Sequence, residues 1–173
     1  MGFRARLFGN ITESVLWSSH CMVAVTRLLD SPLKIKRILI PVENLSPWAL
    51  RPLRFAQIIA DVNQAEVTLL HVCNPRTPKS KIAWTQAQLE IMASKIEAAT
   101  LPIIQIMPHD NVMQAILSSA QAHDLVVLRS LRRQVGGDGL IQGSLTTPIV
   151  QQLTCSGVLL GERQGTPASI LAS

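Results

Sequence analysis

From Lys36 onward the chain alternates short apolar runs with segments in which apolar residues recur three and four positions apart. Arg37–Val42 is almost continuously aliphatic, the pattern of a strand covered on both faces of a parallel sheet. Glu66–Val72, Leu101–Met107, Asp124–Leu128 and Gly157–Leu160 repeat it. The first intervening helix is expected from Ser46, as N-cap with Pro47 at the first helical position, to about Ala60; Pro52 either kinks it or delays its start. The second runs over about 84–99 on Leu89, Met92 and Ile96, with Trp84 at its head read as a packing residue. The third follows a cap at Asp110 or Asn111, with a stripe of Val112, Ala115, Ile116 and Ser119, and the fourth covers about Leu145–Leu153. Five strands separated by four helices predict an α/β fold with an open, doubly wound, five-stranded parallel sheet, because each parallel connection needs a long right-handed crossover.

The first thirty-five residues stand outside this unit. Gly9 through Val25 overlays Gly143 through Leu159 at a constant offset of 134 residues, with Gly9/Gly143, Thr12/Thr146 and Cys21/Cys155 identical. Ile11/Leu145, Val15/Ile149, Leu16/Val150 and Val25/Leu159 match in kind. A period as long as the α/β unit marks an internal repeat, so residues 1–28 are expected to be the closing helix and strand of a preceding copy. In that arrangement Met22–Thr26 pairs antiparallel with Gly157–Leu160, within the chain or between chains. Residues 29–35 form a linker, 36–162 one complete domain, and 163–173 a flexible tail.

Composition narrows the functions. The 173 residues are 47% hydrophobic and only 16% charged, enough for one substantial core and unlike a disordered chain. Aromatic content is 3% with no Tyr, too sparse for a base-stacking surface. The net charge is +5, but the tightest grouping, Arg129, Arg132 and Arg133, falls short of a nucleic-acid patch. Cys21, Cys73 and Cys155 form no metal-like spacing, and no apolar run is long enough to span a bilayer. His71 reads as a core or edge histidine, and His109-Asp110 as a turn with a helix cap. No serine has an identifiable base, so no catalytic group is assigned.

Taken in order, Ile38-Leu39-Ile40-Pro41-Val42-Glu43, Ser46, Leu69-Leu70-His71-Val72, Asp124–Leu128 and Gly143-Ser144-Leu145-Thr146 resemble the universal stress protein family. Phe8–Glu13 resembles the same final turn, as from a tandem arrangement. The resemblance implies a Rossmann-like, nucleotide-binding class of domain, often dimeric through its last strand and often found in tandem or as a cytosolic tail on membrane transporters. Members that bind ATP carry an Asp after the first strand and a loop G-x2-G-x9-G-[ST] after the fourth. There glycines let backbone amides approach phosphates, and the last Gly-Ser opens a helix whose dipole favours anions.

Laid on this chain, the Asp position holds Glu43, the first two glycine positions hold Arg129 and Arg132, and the spacing to Gly143-Ser144 is one residue longer. The resemblance therefore places an ATP site on Pro41, Val42, Glu43, Val72, Arg129, Arg132, Gly143, Ser144, Leu145 and Thr146, in degenerate form. The expected function is a non-enzymatic regulatory and association module, cytoplasmic or tethered through a parent transporter upstream. It would bind no nucleic acid and insert no segment into the membrane. The alternative is an ATP-binding or slowly ATP-hydrolysing switch domain.

Overall fold

A computed structural model describes residues 15, 21–45, 49–130 and 146–161. Six strands form one sheet: β1 (Val23–Arg27), β2 (Arg37–Pro41), β3 (Glu66–Cys73), β4 (Ile103–Pro108), β5 (Leu125–Ser130) and β6 (Ser156–Gly161). Four helices connect them: α1 (Leu50–Asn63), α2 (Lys79–Ser94), α3 (Val112–Ala120) and α4 (Thr146–Gln152). The strand order is β1-β6-β5-β2-β3-β4. The five strands from β2 to β6 are parallel to their neighbours, whereas β1 lies antiparallel to β6. This is the doubly wound sheet expected from the apolar runs, with one strand added at its edge.

Side-chain alternation along the strands separates two cores. Ile38, Ile40, Leu69, Val127 and Val158 pack with Leu53, Ala56 and Leu89 on the α1 and α2 side. Leu39, Leu70, Val126, Leu128 and Leu159 pack with Ile116, Ala120 and Val150 on the α3 and α4 side. The central strands have no polar face because both faces are covered. Ile38, Leu39, Leu125 and Val126 are wholly buried.

The antiparallel pairing expected for the N-terminal strand is present within the chain. Val23 to Arg27 face Gly161 to Gly157 in an unbroken five-position register. Only one face of β1 is covered, so Val23, Val25 and Arg27 are half-buried while Ala24 and Thr26 are exposed. Arg27 fastens the strand by donating from its guanidinium to the carbonyls of Leu153 at 2.6 Å and Cys155 at 3.0 Å. The Leu29 amide donates to Ser156 Oγ at 3.1 Å. With β1 in place every residue of β6 is buried.

Several element boundaries differ from the sequence reading. α1 begins at Leu50, where Pro52 occupies the first turn and its missing amide interrupts no helical bond; the expected Ser46 cap and Pro47 lie outside the described residues. α2 starts at Lys79, five residues earlier than expected, and Trp84 is inside it and 57% exposed, so it is not a packing residue. Asn111 caps α3, its side-chain oxygen accepting from the Gln114 amide at 3.0 Å. Val112 is exposed, and the buried stripe of α3 is Ala115, Ile116 and Ala120. The 163–173 tail lies outside the described residues.

Candidate functional site

Strand order reverses between β2 and β5, and in an open α/β sheet the crevice beyond the carboxyl ends at such a point receives ligands. The two strands pair only at Ile38↔Leu125 and Leu39↔Val126. Beyond those positions Ile40 and Pro41 remain paired with Leu69 and Leu70 of β3, while Val127 to Ser130 remain paired with Val158 to Gly161 of β6. The sheet therefore parts at this edge, with Pro41–Glu43 on one side and Leu128–Ser130 on the other.

The segment after β2 is held against β3. The Val42 amide donates to the Leu70 carbonyl at 2.8 Å, and His71 Nδ1 lies 2.9 Å from the Val42 carbonyl. A carbonyl oxygen only accepts, so Nδ1 carries the hydrogen of this contact. His71 thus positions the backbone that carries Glu43, and no His/Cys/Asp/Glu cluster capable of holding a metal occurs among the described residues. A histidine inside an otherwise aliphatic strand was the available signal, since its ring N–H had to find an acceptor.

The expected site residues divide between the two faces. Val42 is buried in the α1 and α2 core, whereas Val72 packs against the α3 and α4 core. Glu43 is exposed at the crevice. Arg129 is half-buried on β5 opposite Leu160, and strand alternation sets it on the face of Val127. Thr146 is the first residue of α4. Arg132, Gly143, Ser144 and Leu145 lie outside the described residues, so the sheet edge brings together Pro41, Val42, Glu43, Val72 and Arg129.

At the opposite, amino edge of the sheet β2 and β5 are joined by Asp124. Its Oδ2 accepts from the amides of Lys36 and Arg37, both at 2.9 Å, and its Oδ1 accepts from the Arg37 guanidinium at 3.2 Å. Partial burial works to raise this carboxyl's pKa. The Lys36 amide and the Arg37 guanidinium and amide outweigh it, and the net shift is downward.

Residues 34–160 match the family model described as the universal stress protein family. The chain belongs to that family. A universal stress protein from Archaeoglobus fulgidus DSM 4304 superposes with a TM-score of 0.63 at 19% identity, covering 87% of this chain and 55% of that one. The universal stress protein from Archaeoglobus fulgidus in complex with dAMP gives a TM-score of 0.58 at 19% identity, covering 72% of this chain and 97% of that one. Both likenesses establish a shared fold. In sequence the chain is similar to the Na(+)/H(+) antiporter NhaS5 of Synechocystis sp. (strain ATCC 27184 / PCC 6803 / Kazusa), 40% identical over 162 residues. That match takes in 94% of this chain and 23% of the antiporter, so the chain spans about a quarter of its relative. Among the described residues no helix is long and apolar enough to cross a membrane.

Proposed function

We propose that this universal stress protein domain is a non-enzymatic regulatory module that acts by association, as a cytosolic part of a cation/proton antiporter assembly. The observation that carries the reading is the 40% identity to an antiporter across 94% of the chain. The β1–β6 pairing supports the association half: β1 covers the last strand, the edge through which resembling domains pair. With the 134-residue offset in sequence, it supports a tandem arrangement in which the N-terminal segment closes a preceding copy.

The nucleotide crevice is degenerate in this reading. Arg129 stands where a phosphate-cradling glycine is expected and brings a Cβ and a long side chain into that space. Glu43 replaces a shorter Asp at the crevice mouth. A second reading, an ATP-binding switch, draws on the relative crystallised with dAMP and on another solved in complex with cAMP. In it the Arg129 guanidinium would meet phosphate by charge-assisted bonds.

The test is Na+/H+ exchange by the Synechocystis antiporter in vesicles, with its matching region intact, deleted, or replaced by this chain. Deletion is expected to alter the pH or Na+ dependence of exchange, and replacement to restore it. Exchange with the same pH and Na+ dependence in all three forms would overturn the proposal.

A further inference from the structure

α1 and α2 cover the same face of the sheet, and each is apolar on two sides. The inward stripes are Leu53, Ala56 and Ala60 on α1, and Leu89, Met92 and Ala93 on α2. A helix that covers a sheet ordinarily turns polar residues outward. Here Ile58 and Val62, one turn apart on α1, point away from the inward stripe, as do Trp84 and Ile91, two turns apart on α2. All of these outward side chains are more than half exposed, from 52% at Ile91 to 73% at Val62. Both helices therefore carry a second apolar stripe that no described residue covers.

The other face of the sheet gives the comparison. α3 and α4 contain no charged residue, and α3 turns Gln114 and Ser118 outward. All the charge on the four helices sits on α1 and α2, where basic residues outnumber acidic ones. Arg54 stands one turn before Ile58, Lys81 one turn before Trp84, and Lys95 one turn after Ile91, and all three are exposed. The carboxylates of Asp61 and Glu90 each accept from a glutamine one turn earlier, Gln57 at 2.7 Å and Gln86 at 3.1 Å. An apolar stripe rimmed by cations complements a surface that is anionic outside and apolar beneath. Trp suits such a boundary, because its ring is apolar while its N–H stays wet.

From this charge complementarity we propose that the outer face of α1 and α2 docks the domain on an anionic lipid bilayer. Ile58, Val62, Trp84 and Ile91 enter the headgroup layer, while Arg54, Lys81 and Lys95 pair with lipid phosphates. The contact is peripheral: α2, at 16 residues, lies flat on the surface and spans nothing. The net charge of +5 adds longer-range attraction to the same surface. The proposal concerns the bilayer alone and does not rest on the antiporter reading.

The test is co-sedimentation of the full chain with vesicles of phosphatidylcholine alone or with about 30% phosphatidylglycerol, enough anionic lipid to set a negative surface potential. Binding is expected to the mixed vesicles only, and it should weaken as salt rises. Each cation held near such a surface is worth about fivefold in affinity, so Lys81→Gln combined with Lys95→Gln should weaken binding by about tenfold or more. Trp84→Ser combined with Ile91→Ser should weaken it by about tenfold or more through lost apolar contact. Val112→Ser, which removes an exposed apolar side chain from α3, should leave it unchanged. No binding to the mixed vesicles, or equal binding to both kinds, overturns the proposal, as does binding that survives both double substitutions. The comparison of the two lipid compositions uses the unaltered chain and stands even where a variant fails to fold. The vesicles hold no transporter, so this result is read separately from the exchange experiment.

Discussion

Asp124 shows how a single side chain sets the register of this sheet. It takes two amides and a guanidinium from Lys36 and Arg37, while its own amide donates to the Arg37 carbonyl at 2.9 Å, so β5 and β2 are clamped where the switch point begins. Asp124→Asn should destabilise the fold by about 2 kcal/mol at neutral pH, since hydrogen bonds to a charged acceptor are the stronger kind. The pH dependence has a definite sign. The carboxyl's pKa is lowered in the fold from its ordinary 3.8, so the added stability is complete above that value and is lost as pH falls through the lower folded pKa. Denaturant melts at pH 7 and at pH 3 should show the gap between wild type and variant narrowing in acid; a gap that widens would contradict the clamp. This role was not legible in the sequence, where Asp124 reads only as the polar start of a strand. Asn111 was legible, because a cap needs nothing beyond its own helix. Arg27 was not, since its acceptors lie 126 and 128 residues away.

At the level of elements, the apolar runs found the five strands β2 to β6 because the sheet is covered on both faces there, and their continuity survives any choice of register. Boundaries were less legible where proline could act in two ways. Pro78 reads as loop punctuation in the sequence but serves as the N-cap of α2, and the helix accordingly starts five residues early. The N-terminal strand was found through the repeat, and with it the antiparallel pairing beside β6, though not the exact register. Its physical consequence is protection of an aliphatic edge. A chain beginning at Lys34 lacks β1 and exposes the ladder groups of β6, and it is expected to self-associate more strongly than the full chain. Multi-angle light scattering on both forms measures this, and equal masses at equal concentration would show that β1 is not the cover that keeps β6 from pairing.

For the molecule as a whole, fold and family followed from the order of modest motifs, whereas the site was legible only as far as the sheet edge positions it. Pro41, Glu43, Val72 and Arg129 arrive at the carboxyl edge because strands must end there, and alternation then separates them by face in a way that a linear motif does not record. In the proposed function this domain has given up nucleotide binding for association, with arginine in place of a phosphate-cradling glycine. A titration with a fluorescent ATP analogue at moderate salt separates this proposal from the ATP-binding alternative. No saturable binding is expected up to about 1 mM nucleotide, a free energy no better than about −4 kcal/mol. Saturable binding in the micromolar range, abolished by Gly143→Trp, would contradict it.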